Sequence, residues 1–292
     1  MATSWSASGC IFLDILHNQI IYSMRFRDFT WSSEDLITQT KYIDLANRNS
    51  DTHIFIFTDS IEHNTQTDYR GQITPTIFPP PQQCWITGMS DYSITSENSA
   101  RYDGLYKKWF AINVKRKDPR IVPVPIGVDT HSDMAVENEN DKIIYEVSQS
   151  QQSYTDTLAY MNFNVCTYPQ ERAILDLYFS EHSWVKSDVN KRIPYQIYCE
   201  NVRSHKFTFC PRGNGPDTHR LWESIYLGSI PIVLDYPEMS TFFSKLPVLK
   251  VKSWLSITDE LLEIEYERIS ETDYDFSIMR FPEWESEILN YN

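Results

Sequence analysis

The fold of this chain is decided by residues 206–235, which read KFTFCPRGNGPDTHRLWESIYLGSIPIVLD. A short apolar run ends at Pro211, and a loop with two glycines follows it. A helical pattern then runs to Gly228, the residue type that commonly ends a helix. A second apolar run, 230–234, comes directly after. Strand, loop, helix and strand in this order predict a βαβ unit of a parallel sheet, with the loop at the carboxyl edge where such sheets bind ligands.

The loop and the predicted helix carry groups that are suited to binding an anion. The first turn of a helix offers N–H donors without partners and a partial positive charge. Arg212, His219 and Arg220 add donors within this short stretch of an otherwise acidic chain. Asp217 or Thr218 is expected to cap the helix. The stretch therefore predicts an anion site.

Glu223 shares one face of the predicted helix with Arg220, three residues before it. One interpretation is that Glu223 hydrogen-bonds the ribose of a nucleotide held at the loop. The alternative is a surface ion pair between the two side chains, worth about 0.3 kcal/mol. The sequence leaves both open. The loop matches neither GxGxxG nor GxxxxGK[ST], which excludes the usual dinucleotide and P-loop motifs.

Further short apolar runs that end at turn residues predict more strands. These runs cover 53–58, 84–87, 120–127 and 157–165. The prolines of 120–127 favour an edge position in the sheet. Helical periodicity covers 102–113, 170–179, 193–201 and 281–289. The polar stretch 129–156 reads as a linker, which predicts a domain boundary near residue 150.

The composition is that of an acidic globular protein. The chain has 292 residues, 41% of them hydrophobic, and a formal net charge of −14. That balance argues against nucleic-acid partners, because binding along a phosphate backbone needs clustered Lys and Arg. No apolar run approaches the ~18 residues that span a bilayer, so no membrane span is expected. The five cysteines form no CxxC pair, and reduced thiols in the cytoplasm are expected.

Two blocks of this sequence resemble a known family. Residues 209–223, FCPRGNGPDTHRLWE, with LGSIPIV at 227–233, are similar to the C-terminal signature of exostosin-like glycosyltransferases. Residues 160–172, YMNFNVCTYPQER, resemble the strand, loop and helix that lead into the nucleotide domain of that family. VPIG at 124–127 is a weaker match. The similarity is greatest to the compact forms of large algal DNA viruses (chlorella viruses), and it covers about 120–235 well.

The resemblance implies an α/β fold of the GT-B-like type, with two Rossmann-like domains facing across a cleft. It implies an N-terminal acceptor-binding domain at 1–150, a C-terminal nucleotide-sugar-binding domain at 151–280, and a terminal helix at 281–292 that crosses back. The implied activity is inverting transfer of a sugar from a UDP-sugar, with UDP-xylose as first choice, to an oligosaccharide or glycoprotein glycan. No metal cofactor is expected, because the only D-x-D, at 273–275, lies far from the loop.

The diphosphate of such a donor leaves with developing negative charge, which cationic side chains and helix N-termini stabilise. Arg212 and Arg172 are the first choices for this contact, because a planar guanidinium can bind a phosphate through two hydrogen bonds. Arg172 could instead serve as a structural ion-pair partner, and the polar residues after strand 157–165 could simply form turns. The full set of candidates around the donor is Asn162, Asn164, Thr167, Arg172, Arg212, Gly213, Asp217, Thr218, His219, Arg220 and Glu223.

Inversion also needs a general base that removes the proton of the acceptor hydroxyl. Asp91 and Asp59 each follow a predicted strand of the N-terminal half, and Asp91 is preferred. Both are also ordinary positions for turn-forming aspartates. His63, His131 and Asp129 remain alternatives.

Two other classes of protein remain compatible with these residues. One is a non-catalytic glycan- or nucleotide-binding protein on a degenerate transferase scaffold. The other is a phosphotransferase or phosphorylase that uses the same anion site. An intact set of Arg212, Arg220 and Glu223 favours the transferase over a degenerate scaffold. Release of a nucleoside diphosphate from a nucleotide sugar would separate the glycosyltransferase from the phosphotransferase or phosphorylase.

Overall fold

The computed structural model describes residues 23–63, 65–67, 73–75, 84–129 and 139–291. Its strands are β1 (Ser23–Arg25), β2 (His53–Phe57), β3 (Thr65–Thr67), β4 (Ile73–Pro75), β5 (Cys84–Gly88), β6 (Lys108–Ala111), β7 (Ile121–Pro123), β8 (Ala159–Met161), β9 (Val185–Ser187), β10 (Phe207–Phe209), β11 (Ile230–Leu234), β12 (Leu249–Val251) and β13 (Asp273–Asp275). Its α-helices are α1 (Gln39–Arg48), α2 (Thr58–His63), α3 (Ser96–Ser99), α4 (Asn140–Gln149), α5 (Pro169–Phe179), α6 (Tyr195–Arg203), α7 (His219–Tyr226), α8 (Ser240–Phe243), α9 (Asp259–Glu271) and α10 (Phe281–Leu289).

Two parallel sheets organise the chain. The N-terminal half, up to residue 129, holds a sheet in the order β2-β5-β6-β7. The C-terminal half, from residue 139, holds a sheet in the order β12-β11-β10-β8-β9. The predicted α/β class with two Rossmann-like sheets is confirmed, and the predicted βαβ unit is β10-α7-β11. Gly228 ends α7 with a φ of +77°, in the left-handed region that favours glycine.

The helix predicted over 102–113 is wrong, because that stretch contains β6. Trp109 and Phe110 are both fully buried in this strand. A parallel strand that is covered on both faces reads as a continuous apolar run, not as an alternating pattern. The helical spacing of three apolar residues within that run is therefore misleading.

The polar stretch 129–156 is more than the linker that its composition predicts, because it contains α4. Ile144 and Val147 of α4 are buried, and the helix packs against α6 and α7. Two apolar residues on one face give a weak sequence signal. Most of the stability of such a helix comes from tertiary packing, which the local pattern does not report.

The first and last described segments cross between the halves. β1 pairs with β13 in an antiparallel ladder. Helix α10 contacts the N-terminal half, where His53 donates from Nε2 to the carbonyl of Ile288 at 3.1 Å and Arg48 pairs with Glu285 at 2.9 Å. One large apolar core includes buried residues of both halves. The domain bounds 1–150, 151–280 and 281–292 stay a prediction.

Gly127, four residues after β7, lies close to the main chain of the segment before α1. Its φ is +69°, and a Cβ atom there would lie 2.1 Å from the carbonyl oxygen of Ile37. The next residue, Val128, donates its N–H to the same carbonyl at 2.8 Å. Glycine is therefore required at 127 by both conformation and space. Among the described residues, no helix combines the length and the apolarity that crossing a membrane requires.

We expect Gly127→Ala to lower the free energy of unfolding by about 2–4 kcal/mol, because it adds overpacking to left-handed strain. Gly104→Ala is the matched control: Gly104 has a φ of +86°, but a Cβ there meets nothing within 4 Å. Its expected cost is about 1 kcal/mol. Denaturant unfolding followed by circular dichroism measures both. Equal losses in the two variants would contradict the close approach at Gly127.

Candidate functional site

The carboxyl ends of strands from both sheets meet at a cleft between the two halves, with a volume of about 550 Å³. Segments that follow β5 and β7 form one wall, and segments that follow β8 and β10 form the other. We call it the central cleft. Residues from separate stretches of the sequence come together here, as expected for an open parallel sheet. The predicted site residues that line it are Asp91, Asp129, Asn162, Thr167, Arg172, Gly213, Asp217, Thr218, His219, Arg220 and Glu223.

Asp217 joins the two halves beneath the central cleft. Its Oδ2 accepts the N–H of Ile126 at 2.9 Å, and its Oδ1 accepts the indole N–H of Trp222 at 2.7 Å. Burial raises the pKa of Asp217 to about 6, while these hydrogen bonds act in the opposite direction. Thr218 is the N-cap residue of α7, but its side chain makes no capping hydrogen bond. The role of Asp217 in this geometry is to hold the loop.

The glycine loop is held from the N-terminal half at two further points. His219 donates from Nδ1 to the carbonyl of Gly127 at 2.8 Å. Gly215 lies so close to Asn113 that a Cβ on it would be 2.5 Å from the Asn113 Nδ2. Asn113 also accepts the N–H of Asp217 at 3.2 Å through its Oδ1. The loop is thus shaped by contacts across the cleft as well as by its own sequence.

Arg172, on α5, is buried at the base of the central cleft. Its Nε donates to the carbonyl of Arg212 at 2.9 Å, and its Nη1 donates to the carbonyl of Asn164 at 2.8 Å. It therefore ties the loop after β8 to the loop after β10. Burial, and then the neighbouring Arg220 cation, lower the pKa of Arg172 to about 10. The ion-pair interpretation of Arg172 fits poorly, since these partners are neutral carbonyls.

Arg220, in the first turn of α7, lines the same cleft. Its Nε is buried and has no hydrogen-bond partner in the described part of the chain. The guanidinium carbons of Arg220 and Arg172 lie 6.0 and 5.6 Å from the ring centre of Phe163. The Arg220 cation lowers the pKa of Arg172, so the two charges repel each other, and an anion bound beside them would offset this repulsion. The pair makes this wall of the cleft suitable for phosphate groups.

Arg212 is not part of the cleft lining, although the sequence makes it a first choice. Its Nη2 donates to the carbonyl of Asn214 at 2.8 Å, and its Nε donates to the carbonyl of Gly213 at 3.3 Å. Its guanidinium lies over the ring of Tyr168, 4.7 Å from the centre. The side chain is used to cap carbonyls of its own loop. The cations that line the cleft are Arg172 and Arg220.

Glu223 is buried and is held by two phenols. Its Oε1 accepts from the hydroxyl of Tyr195 at 3.0 Å, and its Oε2 accepts from the hydroxyl of Tyr198 at 2.8 Å. Burial raises the pKa of both tyrosines, and the adjacent carboxylate adds to the effect. The surface ion pair with Arg220 is therefore not the arrangement found. Sequence analysis missed both tyrosines, although their i, i+3 spacing on a predicted helix places them on one face.

The polar residues after β8 have different surroundings. Asn162 lines the cleft and donates from Nδ2 to the carbonyl of Asp188 at 3.0 Å. The side chain of Asn164 accepts the N–H of Cys166 at 2.9 Å. This is the local contact expected of a residue that forms a turn. Its side chain is not part of the lining. Thr167 lines the cleft and is exposed.

Asp91 lies where the central cleft meets a second cavity of about 800 Å³ in the N-terminal half. We call this the side cavity; Glu62, Tyr92 and Asn214 are among its walls. Asp91 and Asn214 line both spaces. The Oδ2 of Asp91 accepts from the Nδ2 of Asn214 at 2.8 Å, so a residue of the opposite half orients the carboxylate. An exposed carboxylate in this position can accept a proton from a group in the side cavity.

The alternatives to Asp91 lie in less suitable places. Asp59 is in the first turn of α2. It lines the side cavity but not the central cleft. His63 ends α2, with its ring edge-on to Tyr92. Asp129 lines the central cleft, and its N–H lies 3.5 Å from the Oε1 of Glu223. His131 lies outside the described residues.

The D-x-D at 273–275 is strand β13, paired with β1 and outside both cavities. Asp275 accepts the N–H of Ser277 at 3.0 Å through its Oδ1. Within the described part of the chain, no group of three or more His, Cys, Asp or Glu side chains is arranged to hold a metal ion.

Comparison with known proteins gives little. No family model matches the chain, and no curated protein matches it. A crystal structure of an alpha1,3-fucosyltransferase is similar in part, with 12% sequence identity, 72% of this chain and 73% of that chain covered, and a TM-score of 0.42. A likeness this distant carries no argument about substrates or residues, and the description of the fold depends on the strand pairing above. The resemblance to exostosin-like and viral glycosyltransferases stays a prediction.

We expect the stability of the protein to depend on the ionisation of Asp217. Its pKa in the folded state, about 6, lies above the ordinary value for an aspartate in an unfolded chain, about 3.9. The folded state therefore holds the proton more tightly, and stability falls as the pH rises from about 4 to about 6. At about 1.4 kcal/mol per pKa unit, the loss is about 3 kcal/mol.

The comparison variant is Asp217→Asn, which has no titrating group at this position. The Asn side chain mismatches one hydrogen bond, so the variant loses the same amount of unfolding free energy at every pH. The free energy of unfolding of the wild type minus that of the variant should fall between pH 4 and pH 7 by the stated amount. A difference that stays constant over this range would show that Asp217 has an ordinary pKa.

Proposed function

We propose that this protein is a glycosyltransferase that moves a sugar from a UDP-sugar to a hydroxyl group of a glycan, with inversion at the anomeric carbon. The observation that carries the proposal is the junction of two cavities at Asp91, with two guanidinium groups lining one of them. One space for a donor, one for an acceptor and a carboxylate between them are what this reaction requires. UDP-xylose is proposed as the donor from the sequence resemblance.

The donor diphosphate is proposed to bind beside Arg172 and Arg220. Both guanidinium groups face the central cleft, and the first turn of α7 adds backbone N–H donors. The Nε of Arg220 is buried without a partner, so a phosphate oxygen would satisfy it. These groups would also stabilise the charge that develops on the diphosphate as it leaves. A metal ion is not required for that role.

Glu223 is proposed to accept hydrogen bonds from the ribose. Each of its oxygens already accepts from one tyrosine hydroxyl. A carboxylate oxygen has two acceptor sites, so Oε2 can take one more donor, whereas Oε1 also accepts the N–H of Asp129 at 3.5 Å. The two tyrosines fix the orientation of the carboxylate, which reduces the entropy lost when a ligand binds.

In the proposed step, Asp91 removes the proton of an acceptor hydroxyl in the side cavity. The hydroxyl oxygen forms the new bond to the anomeric carbon, while the bond from that carbon to the diphosphate oxygen breaks on the opposite face. The proton ends on Asp91 and the electron pair on the released UDP. The C-terminal half, 151–280, would hold the donor, and the N-terminal half, 1–150, would hold the acceptor. The helix at 281–292 would join them.

The proposal is tested by a donor screen, in which release of UDP or GDP is measured for a panel of UDP- and GDP-sugars. We expect UDP release from one UDP-sugar, UDP-xylose first among them, and no dependence on EDTA. Arg220→Ala should weaken UDP binding by about 10–100-fold, the value of a hydrogen bond to a charged group. Isothermal titration calorimetry measures this affinity.

The matched control for that measurement is Arg268→Ala, which removes a cation from the exposed face of α9, where it pairs with Glu265. It should leave UDP affinity unchanged. Equal affinities for wild type and Arg220→Ala would reject the phosphate site. If EDTA stops turnover and Mn²⁺ restores it, the metal-independent form of the proposal is wrong.

Asp91→Asn is expected to lower turnover by about 10²–10⁴-fold, the usual contribution of a general base. UDP affinity should stay near that of the wild type, because the donor contacts come from the other half. The amide keeps the size of the side chain and an acceptor for Asn214. Turnover and UDP affinity are measured on the same preparations.

Asp59→Asn is the comparison for Asp91→Asn, because Asp59 shares the side cavity but not the central cleft. We expect it to change turnover by less than about tenfold. Should Asp59→Asn cause the larger loss, the assignment of the base moves to Asp59. A parallel loss of UDP affinity and turnover in Asp91→Asn would indicate a structural role.

A further inference from the structure

A third cavity lies at the opposite end of α6 and α7 from the central cleft. Its volume is about 270 Å³, which suits a molecule smaller than a typical drug. Its walls come from the segment after β1, the ends of α4, α6 and α7, and α9. We call it the rear pocket; the residues that define it are Arg27, Trp31, Arg203, Tyr226 and Ser270.

The rear pocket is separate from the proposed active site. Tyr195 and Arg220, at the N-terminal ends of α6 and α7, line the central cleft, while Arg203 and Tyr226, at the C-terminal ends, line the rear pocket. A helix of nine residues is about 13 Å long, so a ligand in one cavity cannot contact the other.

The charge of the rear pocket is opposite to that of the chain as a whole. Of the described residues that line it, two are arginines and none is Asp or Glu. The chain has a net charge of −14. Arg27 pairs with Glu271. The side chain of Glu271 is about half exposed and does not line the pocket. A cavity with this lining attracts anions.

Arg203 brings a positive charge that its partners leave uncompensated. Its Nε donates to the hydroxyl of Ser150 at 3.2 Å, its Nη1 donates to the carbonyl of Leu227 at 3.3 Å, and its Nη2 donates to the carbonyl of Ser150. All of these acceptors are neutral. Burial lowers the pKa of Arg203. A partly buried cation with neutral partners is stabilised by an anion beside it.

Ser270 is the independent sign that the pocket takes a polar ligand. The residue is 2% exposed, and its buried Oγ has no hydrogen-bond partner among the residues that the structure describes. A buried hydroxyl without a partner is destabilising, and a ligand atom that hydrogen-bonds it would remove this penalty. Aromatic side chains, among them Trp31 and Tyr226, form part of the remaining walls.

We propose that the rear pocket binds a small organic anion, of the size of a sugar monophosphate, through Arg203 and Ser270. The anionic group lies beside the Arg203 guanidinium, and a hydroxyl or ether oxygen of the ligand bonds to the Ser270 hydroxyl. This site is independent of the glycosyltransferase activity proposed above.

The test is calorimetric titration of the full chain with glucose 6-phosphate, gluconate and glucose, each with UDP present in excess to occupy the central cleft. The phosphate ester or the carboxylate should bind at least about tenfold more tightly than uncharged glucose. Binding by the phosphate ester alone, or by the carboxylate alone, would identify the anionic group. Absence of binding by both anions up to about 10 mM, or equal binding of glucose, would overturn the proposal.

Two variants locate the binding. Arg203→Gln removes the charge and keeps a donor for the carbonyls, and Ser270→Leu fills the pocket without changing its charge. Each should weaken the anion by at least about tenfold while UDP affinity is retained. Arg268→Gln, on the exposed face of the same helix as Ser270, is the control and should bind as the wild type does. If Arg203→Gln fails to fold, Ser270→Leu decides; anion binding that survives the filling of the pocket overturns the assignment.

Discussion

The carboxylate of Asp217 is the contact on which the candidate site depends. It is buried, and it accepts hydrogen bonds from a backbone N–H of the N-terminal half and from an indole of the C-terminal half. Burying a carboxylate is costly unless its oxygens are hydrogen-bonded, and both are. The contact fixes the start of α7 against the segment after β7. The position of Arg220, in the first turn of that helix, follows from it.

The hydrogen-bond partners of the individual charged groups explain why an acidic chain can offer a site for phosphate. The central cleft is lined by several carboxylates, but Asp217 and Glu223 have their oxygens occupied by hydrogen-bond donors. The guanidinium group of Arg172 donates to neutral carbonyls, and the Nε of Arg220 has no partner within the described ranges. Local charge in the cleft is therefore set by which groups are paired, not by the count of acidic and basic residues.

Much of the C-terminal half could be predicted from the sequence, because its signals are local. Proline, glycine and two short apolar runs define β10, α7 and β11 within thirty residues, and each of these signals acts through the conformation of its own few residues. The clustering of predicted residues around the central cleft follows from the same logic, since loops at the carboxyl ends of parallel strands meet at one edge. The helix expected at 102–113 failed because burial on both faces removes the alternation that marks a strand.

The sequence by itself determined the α/β class, the βαβ unit and the set of candidate anion-binding residues. Tertiary structure alone decided which of them are available. The sequence favours Arg212 over Arg220, but Arg212 caps carbonyls of its own loop, while Arg220 lines the cleft with an Nε that has no partner among the described residues. Asp91 is oriented by Asn214, more than a hundred residues away. The physical reason is that a hydrogen bond across the cleft depends on the packing of both sheets, which no local pattern encodes.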